Sequence, residues 1–291
     1  MSESQEKMLC ELIGKKFDVL DHGFIRVVDI MGNDSAVVQA ARVSYGDGTK
    51  TKREDGGLIN YLMKHRHTSP FEMCEIKLHI KLPIFIARQW IRHRTANVNE
   101  CSARYSIVPE DFYVPSLENI LPQSEMNKQC RGGEISELDA QAAQDLIVKS
   151  SKESYKNYIK LLDDESRGEE TDGVGIAREI ARGVLPVNMY TEWYWKIDLH
   201  NLLHFIKLRI HQHAQYEIRV YAEILAKIVK EWCPLTFSAF EEYVLYAQTF
   251  SKSQIDALKN LLSGVEISDE NLFNQLARRE LEELKDVFSW K

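Results

Sequence analysis

From Cys74 to Leu82 the chain alternates without a break: Cys74, Ile76, Leu78, Ile80 and Leu82 are apolar, and Glu75, Lys77, His79 and Lys81 between them are polar. A period of two with one apolar face specifies a half-buried strand, and such strands pair mainly antiparallel. Pro83 ends it, since proline has no amide hydrogen for a ladder but suits the first position of a helix, and Ile84–Arg94 reads as that helix. Phe24–Ile30 is the next best strand. The strand's apolar face needs a cover, and the rest of the chain offers mainly helices. Ile147, Tyr155, Tyr158 and Leu162 share one face from about Ala142 to Leu162. Gly175–Pro186 reads as a short helix stopped by Gly183 and Pro186, and the longest helix is predicted from about Asp198 to Trp232, ahead of Pro234. Two more amphipathic helices fill Ser253–Leu262 and Ser268–Phe288. Between Pro109 and Gly133, three prolines and a glycine pair predict an ordered insertion, and the acidic Asp163–Gly175 reads as a loop. Helices after a mixed first half predict an α+β fold, a mixed or antiparallel sheet packed with long helices, in a single domain over 1–291.

Composition removes several function classes. The 291 residues carry 37 Lys+Arg against 44 Asp+Glu, a net charge of −7. That is a poor prior for nucleic acid, whose binding depends on phosphate neutralisation, so any anionic ligand needs a local basic cluster. No apolar run approaches the roughly 20 residues of a membrane span, and the start lacks the basic-then-apolar order of a signal peptide. A cytosolic protein is expected. The five cysteines are scattered without a Cys-x-x-Cys pair, so neither a disulfide framework nor a thiolate zinc site is indicated.

The basic cluster exists. Arg88, Arg92, Arg94 and Arg104 against Glu100 give a local charge of +3. On a continuous helix Gln89 and Arg92 share a face, offering an amide and a guanidinium to one ligand. Ser102 beside Arg104 adds a hydroxyl to a guanidinium fork suited to phosphate or carboxylate. The plain alternative is a solvated basic helix end favoured by the dipole, though Asn97, Asn99, Glu100 and Ser102 exceed what solvation requires. In Arg178-Glu-Ile-Ala-Arg182, Glu179 and Arg182 either pair with each other or serve a site. In the predicted long helix, His200, His204 and His211 fall on one side, with Arg209 and His213 nearly opposite. Two polar faces cannot line one cavity of one protomer, so one of them is expected to serve a site shared with another subunit. His200 and His204, four apart, could instead hold a metal or be structural, although the Glu that follows the first His in metalloprotease helices is missing. The segment from Tyr61 to Glu72 reads by itself as a polar connection with a turn at Pro70.

Arg92-His-Arg94 followed after seven residues by Ser102 resembles the signature of the flavin-dependent thymidylate synthases. So does the fuller Asn99-Glu100-x-Ser102-x-Arg104-Tyr105. Ala40-Ala-Arg-Val-Ser-Tyr45, His65-x-His67-x-Ser69-Pro-Phe-Glu72, Arg178-Glu-Ile-Ala-Arg182 with Leu185-Pro186, and Leu208-Arg209-x-x-x-His213-Ala-Gln-x-Glu217 follow the same family order, over about residues 17–235. The resemblance implies a homotetramer with sites at subunit contacts, and reductive methylation of dUMP to dTMP with methylenetetrahydrofolate as carbon donor, NAD(P)H as reductant and FAD as cofactor. It implies that dUMP meets Gln89, Trp90, Ile91, Arg92, Glu100, Cys101, Ser102, Ala103, Arg104, Arg182 and Arg209. FAD would meet Ser69, Arg92, His93, Arg94, Glu100, Asp198, Leu199, His200 and His204, and no metal is implied. In that frame Gln89, Ser102, Arg104 and a neighbouring subunit's Arg182 take the phosphate. Arg209 is the catalytic residue, a guanidinium at the N3/O2 edge that favours loss of the N3 proton. The chain departs from many members at Asn97, Asp198, His200 and His204. The insertion of about 109–140 and a helical tail of about 236–291 exceed the short members. Three readings compete from other classes: a metal-dependent hydrolase using the His helix, an RNA-binding protein using the basic helix, and a catalytically silent assembly protein.

Overall fold

The computed structural model describes residues 9–44, 52–125, 129–162, 173–262, 276 and 278–288. Tyr45, residues 163–172 of the acidic stretch and most of 268–277 lie outside the described residues. The chain divides into two compact units, Met1–Leu245 and Tyr246–Lys291.

The first unit is built on a five-stranded sheet in the order β1 (Lys16–Val19), β2 (Gly23–Met31), β3 (Glu75–Pro83), β5 (Tyr190–Asp198), β4 (Asn97–Glu100). Every neighbouring pair is antiparallel, so of the two expected forms the sheet takes the second. The alternating segment becomes the central strand β3, with Ile76, Leu78, Ile80 and Leu82 buried. Strand β5 was not expected. It pairs with β3 along its whole length, from Glu75 opposite Asp198 to Pro83 opposite Tyr190, and buries Trp193, Trp195 and Ile197 on the same face.

Among the described residues the helices that matter to the site are α1 (Asp34–Ala41), α2 (Lys52–Lys64), α3 (Ser69–Glu72), α4 (Ile84–Trp90), α5 (Glu137–Leu161), α6 (Arg178–Ala181), α7 (Leu199–Arg209), α8 (Tyr216–Trp232) and α9 (Pro234–Phe240). The second unit contributes α10 (Lys252–Leu262) and α11 (Arg278–Phe288). Leu202, Phe205 and Ile206 of α7 and Ile218, Tyr221, Leu225 and Ile228 of α8 join the apolar sheet face in one core. Trp90 of α4 sits at its centre, 4.5 Å from the Phe205 ring, 5.2 Å from Trp195 and 5.9 Å from Trp193. Tyr155, Tyr158 and Leu162 bury together as their spacing predicts, in a smaller core with Ala181 and Met189 that ties α5 to α6.

Two expected helices are shorter than their periodicity suggested. The helix from Ile84 stops at Trp90, so Arg92 lies in the following turn. The helix expected over Asp198–Trp232 is two helices, broken over residues 210–215. Asp198 caps α7, its carboxylate accepting the Asn201 amide at 2.9 Å. In the first turn of α1, the buried Asp34 carboxylate accepts the amides of Leu235 and Thr236 at 2.9 Å each and the Thr236 hydroxyl at 2.7 Å. It thereby fastens the start of α9 back onto the N-terminal half. Among the described residues no helix is long and apolar enough to cross a membrane.

Candidate active site

The motif from Asn97 onward enters the fold as β4, and Glu100 at its end faces Trp193 across the ladder. Thr191 donates its hydroxyl to Glu100 Oε1 at 2.7 Å, and the Cys101 amide bonds the Glu192 carbonyl at 2.8 Å. These bonds set Glu100, Cys101, Ser102 and Ala103 along a cavity of about 590 Å³ that also takes Lys81, Asp111, Tyr190 and Arg182. Arg182 was expected to meet Ser102 from a neighbouring subunit. It instead lines the same cavity in the same protomer, because α6 and the turn after it pack on α5 beside the β4 exit.

A second cavity of about 460 Å³ has Ile107 in common with the first and holds Arg104, Arg178 and Glu179. Arg104 Nε stands 3.4 Å from Glu179 Oε2, so Glu179 pairs with Arg104 rather than with Arg182. Both partners are more than half exposed, and exposed pairs of this kind contribute little, which leaves the guanidinium open to a stronger anion.

The remaining site residues gather around the ends of α4 and α7. Gln89 Oε1 and Arg209 Nε are buried and lack a hydrogen-bond partner within the protomer. Burial lowers the Arg209 pKa. The His93 ring lies 5.7 Å from that of His204. Its pKa is lowered by burial and, next, by the charge of His204; Arg209 pushes in the same direction. Arg209 and His204 therefore converge on His93 although they stand on different sides of α7. His211 and His213 lie in the break between helices, so the expected stripe of His200, His204 and His211 does not form. Trp90 and Leu199 are fully buried in the core and offer a ligand no side chain, while Ile91 is exposed. None of Gln89, Arg92, His93, Arg94, His204 and Arg209 lines either cavity.

This second group suits an anionic dinucleotide. Arg92 and Arg94 are exposed and form no ion pair among the described residues, His93 lies between them in sequence, and His204 stands against His93. Asp198 would oppose an anion, but its two oxygens accept the Asn201 amide and side chain at 2.9 and 2.7 Å. Ser69 opens α3, which packs against α7. Among the described residues no three His, Cys, Asp or Glu side chains are grouped to hold a metal ion.

Two features escape sequence reasoning. Lys81, whose ammonium pairs with Asp111, and Tyr190 enter the cavity from strands and loops far apart in sequence. The buried carboxylate of Glu217 accepts from Arg131 and Tyr113, both in the insertion. The glycine pair after Arg131 marked a turn, but nothing local marked its partner.

The sequence matches the protein family described as thymidylate synthase complementing protein over residues 26–235. It is 54% identical over 281 residues to a flavin-dependent thymidylate synthase of Ehrlichia ruminantium (strain Gardel), covering 97% of this chain and 91% of that one. It is 54% identical over 280 residues to a flavin-dependent thymidylate synthase of Rickettsia bellii (strain RML369-C), covering 95% of each. Among solved structures, the UMP/dUMP methylase PolB from Streptomyces cacaoi, bound with 5-Br dUMP, superposes with a TM-score of 0.68 at 34% identity, over 78% of this chain and 98% of that one.

Proposed function

Because the chain belongs to the flavin-dependent thymidylate synthase family, we propose that it converts dUMP to dTMP by reductive methylation, with methylenetetrahydrofolate giving the carbon, NAD(P)H as reductant and FAD as cofactor. The observation that carries this reading is Arg209, a half-buried side chain whose Nε is itself buried and has no partner in its own protomer. A buried donor left unsatisfied costs about 1–3 kcal/mol, so its persistence points to a ligand that completes it.

The uracil ring must become electron-rich at C5 before it can attack a carbon donor. Arg209 at the N3/O2 edge stabilises the negative charge that develops as N3 loses its proton, and does so in a site where burial strengthens electrostatics. Gln89, with its own unpaired oxygen, orients the same nucleotide. The doubly charged phosphate is held by Ser102, Arg104 and Arg182, with Arg104 exchanging Glu179 for the stronger anion. Ser102 binds and does not attack, since no His lines its cavity. Arg92, His93, Arg94, His200 and His204 hold the cofactor, which when bound supplies the hydride chemistry.

The site is composite. Glu100 to Arg104 with Arg182 come from one subunit and Gln89, Arg92 and Arg209 from another, within a homotetramer. Support comes from the separation of the two groups in one protomer and from the large apolar side chains exposed beside them. Tyr105 is 81% and Ile180 66% exposed near the cavities, and Ile91 is 44% exposed after α4. A second chain seated over these side chains would cover them.

The test is optical. The purified protein should be yellow with bound FAD, and NADPH oxidation should depend on dUMP. A colourless protein that oxidises no NADPH in the presence of dUMP, folate and added FAD would overturn the reading.

A further inference from the structure

Residues 109–140, expected from the sequence to be an insertion, do more than decorate the fold. Glu217, in the first turn of α8, is 3% exposed, yet its carboxylate collects four hydrogen bonds. Arg131 Nη2 lies 2.6 Å from each oxygen, the Tyr113 hydroxyl donates at 3.1 Å and the Gln215 amide at 3.0 Å. Burial, followed by the Glu217 charge, raises the Tyr113 pKa, so Tyr113 stays a donor. Next to Arg131, the Cys130 thiol donates to the His213 carbonyl at 3.4 Å. Arg131 is itself held, with its other nitrogen on the Asn119 carbonyl and its guanidinium 5.7 Å from the Tyr216 ring.

These contacts fall on one stretch. Arg209 ends α7, residues 210–215 form the break, and Glu217 opens α8. The break contains neither Gly nor Pro, so nothing in its own sequence ends the helix there. Adjacent insertion residues grip it at His213 and just beyond it at Glu217. A buried ion pair is weak evidence for stability, since apolar replacements of similar volume often do as well; its best-attested use is to set the register of the elements it joins.

We propose that Arg131 is a positioning residue for Arg209: through Glu217 it holds the break between α7 and α8 in the register that keeps the Arg209 Nε buried and aimed. The claim rests on the proposed reaction only for its kinetic consequence. The posture of Arg209 is a property of the ligand-free protein.

The experiment compares wild type, Arg131→Lys, and the charge-neutral pair Arg131→Met with Glu217→Gln, which avoids stranding a buried carboxylate. In arginine-labelled protein, the Arg209 Nε–H signal, identified by its loss in Arg209→Lys, should exchange with solvent at least about tenfold faster in the double variant than in wild type. In steady-state assays the double variant should lose about tenfold or more in kcat with KM for dUMP within about twofold, and Arg131→Lys should recover most of the loss. Unchanged Arg209 exchange in a folded double variant overturns the proposal. So does a loss confined to thermal stability or active fraction with kcat per active site intact. A wild type that makes no dTMP but shows the exchange effect refutes the reaction and leaves the positioning role standing.

Discussion

In the proposed reaction Arg209 owes its role to where its charge is kept. A guanidinium in water spends its hydrogen bonds on solvent, whereas this one is desolvated enough to lower its pKa and still has an Nε–H to give. Removing such a donor costs roughly 10²–10³ in kcat. Arg209→Ala should therefore lose dTMP formation by at least about that factor while retaining the flavin absorbance of the purified protein; turnover near wild type would contradict the assignment. His93 gives a second prediction. Its folded pKa lies below the ordinary 6.5, so between the two values the unfolded chain binds more protons and stability rises with pH. The His93 contribution is complete above pH 6.5 and is lost as pH falls through 6.5 and below the folded value. In urea titrations of cofactor-free protein, His93→Asn should lose less stability between pH 8 and pH 5 than wild type does. Equal losses in both proteins would contradict it. The residues proposed to meet ligand could be nominated from the sequence because they cluster within short motifs, as in Arg92 to Arg104. Arg131 and Glu217 were not legible as a pair, because a buried ion pair across 86 positions leaves no local pattern.

At the scale of elements, periodicity found what one face could dictate. Strand β3 was plain because every second residue is apolar. Strand β5 carries the same signal in Trp193, Trp195 and Ile197, but exposed Tyr194 between two tryptophans blurs it into an aromatic run. The end of α4 and the break after α7 were missed for a different reason. Helix periodicity continues through both, and tertiary contacts end the helices instead: the ladder that claims Asn97 to Glu100 for β4, and the insertion's hold on His213 and Glu217. Another such contact is open to test. Asp34 satisfies the first amides of α9 from 201 positions away, and burial raises its pKa while the bonds from Thr236 and Leu235 offset part of the rise. Asp34→Ala leaves those buried donors without a partner, and the expected loss is about 2–4 kcal/mol in chemical denaturation, from donors worth about 1–3 kcal/mol each. A loss under about 0.5 kcal/mol, the range of neutral surface changes, would show that the cap contributes nothing.

For the whole molecule, a net charge of −7 and a nucleotide substrate are compatible because the positive charge is partitioned. Arg104 and Arg182 line cavities at the exit of β4, while Arg92, Arg94 and Arg209 stand at the ends of α4 and α7. In the proposed composite site the two halves lie on different elements of a protomer, not on two faces of one long helix as the helical wheel of residues 198–232 suggested. Two inactive variants, one damaged in each half, test this directly. Arg182→Ala and Arg209→Ala chains, unfolded together at equal amounts and refolded, should regain dTMP formation near a quarter of the wild-type rate, since about one site in four draws both intact residues from different chains. Continued inactivity in a preparation whose mass spectrum shows mixed oligomers would contradict the composite site.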